Sequence, residues 1–451
     1  MFSWLGKVFR KPSFIIPFLL IFPIPKTAST SSYQKISLPK VLDLIHLRTK
    51  KYVNLAKLKK MERDKTVKSI WNRHFLIALL GYFFLFMSIT LFFIFPLFFE
   101  QFNAPKSRIG LIMGVHSLLA IFVRPIIGRL VDLKGRRKIS LIGIVFLILV
   151  LPAFHLIKDA GYLPVLLRAL TGVGWGVSMT ATITICSDLA PVERLAHSMG
   201  IIGVAGLLSS ALGPALGEEV VTLFGFGALF NTSFAFLILA FLCIFLTKEV
   251  VRANNIHQLA RPKSLKNISI IVILAVSSLP VIHGAVRGAV VYFIALFTKS
   301  IHLERVGPFF IAFSAAAILT RLWIGDLSDR YGRKRVIFPA VCIIALNLFL
   351  ISQVSHFWML VLTGFIGGFG QGLIFPALST YMIDILGKDN KGLAISLYLT
   401  FFDVGMGFGS YFFGWISDLY GYKKMYILAG AIFFAVNLFF SWKAPSSHPK
   451  K

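Results

Sequence analysis

The chain has 451 residues, of which 57% are hydrophobic and 14% are charged, and its mean hydropathy is +0.80. A water-soluble domain carries about 25% charged residues, so the composition excludes a soluble enzyme, a disordered protein and a disulfide-bonded scaffold. The net charge is +29; because apolar runs of about 18 or more residues recur, we interpret this excess as membrane topology and lipid attraction rather than nucleic-acid binding.

The first sixty residues differ in composition from the rest of the chain. They carry 12 Lys and Arg residues and a single acid, Asp43. One hypothesis is that translation starts at Met61, so that residues 1–60 would be absent from the native protein. We expect residues 1–73 to form a basic tail on the cytoplasmic side of the membrane.

Twelve apolar runs follow this tail, and each predicts a membrane-spanning helix. Every run is long enough to cross a hydrocarbon core of about 30 Å at about 1.5 Å per residue. Strands are disfavoured because the runs do not alternate as the strands of a membrane barrel do. We place the helices at 74–99, 107–128, 139–157, 162–187, 197–217, 228–247, 268–297, 307–325, 336–354, 357–386, 393–416 and 425–442.

The charges in the loops predict the orientation of the chain. The even-numbered loops and the C-terminal tail carry 20 Lys and Arg residues, whereas the odd-numbered loops carry 7 when Arg108, at the outer end of the second span, is counted with its loop. Positively charged loops remain on the cytoplasmic side of a membrane, so both termini are expected there.

The two halves of the chain repeat one unit at an offset of 197 residues. The segment RPIIGRLVDLKGRRK at 124–138 corresponds to RLWIGDLSDRYGRKR at 321–335, and Gly217 corresponds to Gly414. Membrane transporters are often built from such repeats. The predicted boundaries are 74–247 for an N-terminal six-helix bundle, 248–267 for a cytoplasmic linker, 268–442 for a C-terminal six-helix bundle and 443–451 for a cytoplasmic tail.

The loop after the second span carries a motif of two glycines, an aspartate and a cluster of cations, and the motif recurs in the second half. It resembles the signature of the major facilitator superfamily of secondary transporters, and the resemblance covers the chain from about residue 75 to its end. The matching residues are Gly128, Asp132, Gly135, Arg136, Arg137 and Lys138 in the first copy and Gly325, Asp329, Gly332, Arg333 and Lys334 in the second.

Each part of this motif has a physical reason. Gly128 would let the second helix approach another backbone closely, and Gly135 would permit a tight turn with positive φ. Asp132 is placed to pair with an Arg or with the positive end of a helix, and the resemblance implies that it latches a gate. The cations that follow either belong to the gate or only set topology at the lipid headgroups.

Four arginines lie well inside the predicted spans, away from the outer ends of the helices, at Arg124, Arg168, Arg287 and Arg321. A charge at the centre of a membrane helix costs at least about 2.5 kcal/mol, so each arginine requires a partner or a cavity. Arg124 and Arg321 are repeat mates near the cytoplasmic ends of helices 2 and 8, where they snorkel or pair within the gate. Asp188 and Asp384 end helices 4 and 10 on that side and are the expected partners of the basic gate loops.

Arg168 opens the sequence RALTGVGWG in the fourth span, in which glycines follow at spacings of four, six and eight residues. This pattern resembles the helix-4 motif of the superfamily, and the resemblance implies a role of Arg168 in proton or substrate coupling. The alternative is an interhelical ion pair with no part in transport.

Asp403 is the single acid in the middle of a predicted span, about 15 Å deep in helix 11. A carboxylate at this depth can load and release a proton near neutral pH, which makes Asp403 the main coupling candidate. The alternative is a fixed ion pair with an intramembrane Arg. His116 and His283 are further candidates, and His283 shares a helix face with Arg287, so this pair could bind an anion or relay protons. Hydrogen-bonded packing is the alternative for both histidines.

The fifth span contains a glycine- and proline-rich segment that resembles a motif of the superfamily's antiporters. The matching residues are Gly206, Gly213, Pro214 and Gly217. Ser209 and Glu218 depart from the motif and weaken the case for antiport over symport, and close packing also explains the glycines. We expect Glu218 and Glu219 to be exposed at the outer surface.

Together these features predict an all-α membrane protein with twelve helices in two pseudo-symmetric six-helix bundles, the major facilitator fold, around a midplane cavity. The glycine-rich helices resemble the drug and metabolite efflux branch, and the first functional hypothesis is proton-coupled export of a small organic molecule by alternating access. The alternatives are uptake of an organic anion, by proton symport or facilitation, and a membrane sensor that does not transport.

The sequence contains no nucleotide-binding loop, metal-ligand cluster or nucleophile motif, so we expect no enzymatic activity, no cofactor and no metal. The expected partners are the lipid bilayer, a small-molecule substrate and protons as the coupling ion, without nucleic acid. We expect a monomer in a bacterial inner membrane.

Overall fold

The computed structural model describes residues 72–191, 194–249, 270–303, 305–324, 327–386 and 391–445. Within these ranges every regular element is helical. The predictions for the N-terminal tail before residue 72, including Met61, lie outside the described residues, as do those for most of the linker and the end of the C-terminal tail. The same holds for Gly325 and for the side chains of Asp132 and Asp329.

The described helices correspond to the twelve predicted spans. Short helical turns at Leu91–Phe93 and Pro96–Glu100 extend the first span, and Leu151–Leu156 extends the third. The bounds are α1 Arg73–Thr90, α2 Lys106–Lys134, α3 Arg136–Val150, α4 Tyr162–Leu189, α5 195–224, α6 226–246, α7 Ile270–Ser300, α8 Gly307–Ile324, α9 Arg333–Ser352, α10 Phe357–Leu386, α11 391–420 and α12 422–443.

Two continuous helical segments, Leu195–Leu246 and Lys391–Lys443, each contain two of these spans. Each segment is far longer than the roughly 20 residues that cross a bilayer. Each is broken at a glycine with positive φ, at Gly225 (φ 78°) and Gly421 (φ 78°). Glycine adopts this conformation without the steric cost that a side chain would bring. The ten long apolar segments of the described ranges therefore supply twelve spans.

The break at Gly225 reverses the direction of the chain. α6 starts beside the end of α3, where His155 Nε2 lies 3.0 Å from Asn231 Oδ1. It ends beside the start of α3, where Arg137 donates a hydrogen bond to the Phe245 carbonyl oxygen. α6 is therefore antiparallel to α3. Along α1, Tyr82 and Thr90 meet Gly206 and Gly213 of α5 in the same order, whereas Gly81 and Ser88 meet Ile244 and Ser233 of α6 in the reverse order, so α5 and α6 also run in opposite directions.

The helices form two bundles with the same packing pattern. In the first half, α1 packs against the α5–α6 segment, while α4 packs against both α2 and α3. In the second half, α7 packs against the α11–α12 segment, while α10 packs against both α8 and α9. Two helix pairs make most of the contact between the halves, namely α2 with α11 and α5 with α8.

These two contacts between the halves are equivalent under the repeat. Gly110 on α2 and Gly307 on α8 are 197 positions apart. A Cβ built on Gly110 would lie 2.1 Å from the Ser410 carbonyl oxygen, and one built on Gly307 would lie 3.0 Å from Ala215 Cα. A side chain at either position would force the helices apart, so the absent Cβ is what allows the two bundles to meet closely.

Candidate functional site

Arg124 on α2 and Asp403 on α11 form an ion pair across the contact between the two bundles. Asp403 is 9% exposed. In an apolar interior each charge compensates the desolvation cost of the other. The sequence placed Arg124 with the gate and Asp403 with proton coupling, and the structure brings the two groups together.

Arg168 on α4 is buried and has no carboxylate partner within the described residues. Its side chain is 2% exposed, and its Cζ lies 5.4 Å from the centre of the Phe92 ring. Its Nε and Nη1 make no hydrogen bond in this part of the chain. The alternative of an interhelical ion pair for Arg168 is therefore not present in this arrangement.

Arg287 on α7 has similar surroundings in the second bundle. Its Cζ lies 4.4 Å from the centre of the Phe313 ring, and its Nη1 has no hydrogen-bond partner among the described residues. Arg287 and His283 line the same small, mostly apolar cavity, so the two side chains share one face of α7. His283 Nε2 lies 2.8 Å from Gln371 Oε1, so one ring nitrogen is already occupied by an amide.

His116 connects α2 to α4 through a chain of two hydrogen bonds. Its Nδ1 lies 3.2 Å from Thr171 Oγ1, and the Thr171 hydroxyl donates to the Arg168 carbonyl oxygen over 2.9 Å. Because the single hydroxyl hydrogen is used in the second bond, His116 Nδ1 must be the donor in the first. The ring therefore carries its hydrogen on Nδ1 in this arrangement.

Tyr292 on α7 links these charged groups, although the sequence offered no signal for it beyond one tyrosine in an apolar run. It is 2% exposed, and its ring packs edge-on against that of Phe93 in the first bundle, with 6.5 Å between the ring centres. It also lies within electrostatic range of Arg168, Arg287 and Asp403. Side chains from both bundles thus converge on one buried hydroxyl.

Arg321 on α8 occupies the repeat position of Arg124 and likewise crosses to the other bundle. Its Nη1 lies 3.3 Å from where a Cβ on Gly203 of α5 would be. Its Cζ lies 5.3 Å from the centre of the Phe375 ring, and its Nε makes no hydrogen bond among the described residues. Unlike Arg124, Arg321 has no carboxylate opposite it in the described ranges.

The signature loops adopt the same conformation in both halves. Gly135 has φ 92° and Gly332 has φ 93°, so both tight turns use the backbone conformation that glycine permits. Arg136 Nε lies 3.0 Å from Asp188 Oδ2 in the first bundle. In the second bundle, the equivalent pair joins Arg333 Nε to Asp384 Oδ2 at 3.1 Å.

The neighbouring cations of the signature bind the C-terminal ends of other helices. Arg137 donates to the Phe245 carbonyl oxygen at the end of α6. Lys334 Nζ donates to the carbonyl oxygens of Ser441 and Ala444, at 2.8 and 2.7 Å, at the end of α12. A cation stabilises the negative end of a helix dipole, so these residues do more than set topology.

The close approach expected at Gly128 is absent from this arrangement. A Cβ built on Gly128 would have no heavy atom within 4 Å. The reason is that this end of α2 lies beyond the contact with α11, in a region where the two bundles are apart. Gly200 on α5 is equally open.

The two bundles are held together on the side of the membrane opposite the signature loops. Asp418 on α11 accepts hydrogen bonds from the backbone N–H groups of Lys106 and Ser107 at the start of α2, at 2.7 and 2.8 Å. Glu218 on α5 accepts from those of Val306 and Gly307 at the start of α8, at 2.6 and 2.7 Å. Each carboxylate caps the positive end of a helix in the other bundle.

The prediction of an exposed Glu218 is therefore wrong, because this carboxylate is half-buried against the second bundle. Glu219 is exposed and pairs with Arg305 at 3.2 Å, as its surface position suggested. No sequence pattern singles out Asp418, which stands in a loop-like stretch between two predicted spans. Contacts concentrated on this side describe an arrangement that is closed there and open towards the signature loops.

The glycines of the helix-5 motif pack α5 against α1. A Cβ on Gly213 would lie 2.1 Å from Thr90 Oγ1, and one on Gly206 would lie 2.9 Å from the Tyr82 hydroxyl oxygen. Gly217 meets Leu229 and Leu91 in the same way, and Pro214 lies inside the helix without ending it. Close packing is thus the role that these residues have in this structure.

Comparisons with known proteins agree with this architecture. A family model described as Major Facilitator Superfamily matches residues 75–312 and 281–451. The multidrug resistance protein MdtG of Citrobacter koseri is 26% identical over 392 residues, which cover 83% of this chain and 95% of that protein.

Two solved structures show the same fold. A D-xylose-proton symporter superposes with a TM-score of 0.70 at 15% identity, covering 84% of this chain and 98% of its own. A bacterial homologue of the human lysosomal transporter Spinster, in an inward-facing and occupied conformation, gives 0.68 at 13% identity, covering 81% and 95%.

Proposed function

Because the chain belongs to the Major Facilitator Superfamily and is a multi-pass membrane transporter, we propose that it exports a small organic molecule in exchange for protons by alternating access. The similarity to multidrug resistance proteins supports the direction of transport. The buried ion pair between Arg124 and Asp403 supports the coupling to protons, and it is the observation that carries the proposal.

The ion pair links protonation to the contact between the bundles. With Asp403 ionised, Arg124 is held by a carboxylate of the other half. Protonation of Asp403 removes the negative charge and weakens the bond between α2 and α11. A change that favours one arrangement of the bundles over the other shifts the population of access states, which is the requirement for coupling.

Alternating access requires that the closed side opens while the signature side closes. The caps formed by Asp418 and Glu218 would break in that transition. On the other side, Asp132 of the signature is the proposed latch once the two halves meet there. Transport would then be a rocking of the two bundles about the central charged groups.

We further propose that the transporter acts as a monomer in a bacterial inner membrane with both termini in the cytoplasm. One chain supplies both bundles and all the central charged groups, so the site needs no second copy. The excess of Lys and Arg in the even-numbered loops supports the orientation.

The test is proton flux in proteoliposomes that contain a pH-sensitive dye, challenged with cationic, neutral and anionic compounds. Wild type is compared with Asp403→Asn, and with Asp159→Asn as a matched control in an exposed loop. We expect substrate-evoked proton movement that is lost in Asp403→Asn and retained in Asp159→Asn. Movement of protons opposite to the substrate indicates antiport.

Other outcomes would contradict the proposal in different ways. Proton movement in the same direction as an organic anion would mean uptake by symport. Substrate flux without proton movement would mean a facilitator and would leave Asp403 with a structural role. A protein that binds compounds but moves none of them would be a sensor.

A further inference from the structure

The central charges of the described spans are unbalanced. Arginines contribute four positive charges, and Asp403 contributes the one mid-span negative charge. Asp403 is engaged by Arg124, so three guanidinium groups remain without a carboxylate in this part of the chain. Each of these guanidinium groups instead lies beside one aromatic ring, and the three rings are those of Phe92, Phe313 and Phe375.

The repeat identifies where a second carboxylate would be expected. Arg321 is the repeat mate of Arg124, and the repeat position of Asp403 is occupied by Gly206. At the α2–α11 contact, an Arg therefore faces an Asp. At the equivalent α5–α8 contact, the Arg faces helix α5 at Gly203, three residues before Gly206, and no carboxylate among the described residues completes the pair.

The surroundings of Arg321 suit an acidic group that enters between the two bundles from the side of the signature loops. The guanidinium has an unused Nε–H, and a guanidinium presents paired donors that match a carboxylate or sulfonate. The side chain is only partly buried, with its Nε enclosed, so an incoming group can reach the guanidinium at its Nη groups. The Phe375 ring and the nearby hydroxyls of Tyr82 and Tyr398 provide apolar and polar surface beside it.

We propose that the transported compound is an organic anion, and that its acidic group pairs with Arg321 in the place that Asp403 takes opposite Arg124. The proposal rests on the transport function proposed above and adds the substrate class. Arg168 and Arg287 are two further guanidinium groups within the spans that have no carboxylate partner among the described residues. A cationic compound would meet three uncompensated positive charges in the low-dielectric interior, which opposes its binding.

A glycine next to Arg321 allows a direct test. A Cβ on Gly203 would contact only Arg321 Nη1, at 3.3 Å, so a small side chain fits after a slight shift of a flexible group. Gly203→Asp would supply the missing carboxylate from the protein itself and occupy the position of the substrate. Gly203→Asn has the same size without the charge and is the matched control.

The probes are 2-naphthalenesulfonate, the neutral 2-naphthalenesulfonamide and the cationic 2-naphthylmethylammonium, tested on the purified full chain in detergent. Binding is read from the rise in melting temperature and from Kd. We expect the sulfonate to bind wild type and Gly203→Asn, and to bind Gly203→Asp at least about 30-fold more weakly. Arg321→Gln should lose sulfonate binding to a similar extent, which keeps the test valid if Gly203→Asp fails to fold.

Two results would overturn the proposal. The first is binding of the cation in preference to the sulfonate, and the second is equal sulfonate affinity in Gly203→Asp and Gly203→Asn. Flux in proteoliposomes separates this inference from the transport function. Transport of cations or neutral compounds alone would refute the anionic substrate class but keep the proposed transport function. Sulfonate binding at Arg321 without any flux would refute the transport function but keep the anion site.

Discussion

At the scale of single residues, the ion pair between Arg124 and Asp403 has two effects on the structure. It neutralises two charges that an apolar interior disfavours, and it joins helices from different bundles. Loss of either partner leaves the other charge buried without compensation, whereas loss of both removes the buried charges together with their attraction. Because of this difference, the interaction energy of the pair can be measured with single and double variants.

Arg124→Gln and Asp403→Asn are therefore expected to destabilise the protein individually by about 2 kcal/mol, because each leaves a buried charge alone. The double variant should cost less than the sum of the two single variants, with a coupling of about 1–3 kcal/mol. Thermal unfolding of the four proteins in one detergent measures the cycle. Additive effects would show that the two side chains do not interact in the folded protein.

The sequence identified both members of this pair but not their partnership. Depth in the membrane follows from counting residues along a span, and this placed Asp403 near the midplane. Which Arg it meets depends on the rotation of α11 about its axis and on the neighbour of that helix, and neither is encoded in hydropathy. The same limit explains why Tyr292 was missed.

At the scale of helices and loops, the two copies of the signature provide an internal comparison. Gly135 and Gly332 have nearly the same φ, but their surroundings differ. A Cβ on Gly135 would lie 2.7 Å from Glu249 Oε1, whereas one on Gly332 would have no heavy atom within 4 Å. Backbone strain thus acts at both positions, and a steric contact acts at one.

Gly332→Ala is expected to destabilise the protein by about 1–3 kcal/mol through backbone strain alone. Gly135→Ala should cost more, because the methyl group also disturbs the carboxylate that accepts from the Arg137 backbone N–H. Melting temperatures of the two variants test this order. A larger effect at Gly332 would contradict this order and would mean that the contact with Glu249 does not add to the cost at Gly135.

The helix caps opposite the signature loops predict how the access states can be shifted. Asp418→Asn and Glu218→Gln each weaken a charged cap, which is worth about 1 kcal/mol. Each variant should therefore raise the ratio of the state open on that side to the state closed there by roughly fivefold. Distances between spin labels attached to α2 and α11 at their Asp418 end would report the population.

Glu219→Gln is the matched control for these caps. Glu219 and Arg305 form an ion pair whose side chains are 51% and 64% exposed, and such pairs contribute little. The distance distribution of Glu219→Gln should stay close to that of wild type. An equal shift in all three variants would point to a general effect of negative charge on that face rather than to capping.

At the scale of the whole molecule, the repeat accounts for what the sequence could predict. Twelve spans, the offset of 197 residues and the paired signature loops all follow from local composition and self-similarity. The conformational state does not, because Glu218 and Asp418 are ordinary acids near helix ends until the opposing helix is present. The sequence shows that Arg321 lacks the counterpart of Asp403, since Gly206 stands at the repeat position of that acid. That Arg321 lies against α5 follows only from the contact between α5 and α8.

The orientation of the whole chain remains a prediction from loop charge, and it can be tested with two exposed tyrosines. Tyr331 precedes Gly332 of the second signature loop and is 61% exposed, whereas Tyr162 begins α4 of the first bundle, at the end opposite the signature loops, and is 88% exposed. Cysteines replace them singly, after Cys186, Cys243 and Cys342 have been changed to Ala. The charge difference of 20 to 7 predicts that the loop with Tyr331 is cytoplasmic.

In right-side-out membrane vesicles, a membrane-impermeant maleimide should therefore label Tyr162→Cys and spare Tyr331→Cys. Permeabilised vesicles, in which both variants should react, control for accessibility. Inverted vesicles should give the reverse pattern. Labelling of Tyr331→Cys from outside would place the signature loops on the external side, and the state closed by Asp418 and Glu218 would then be open to the exterior rather than to the cytoplasm.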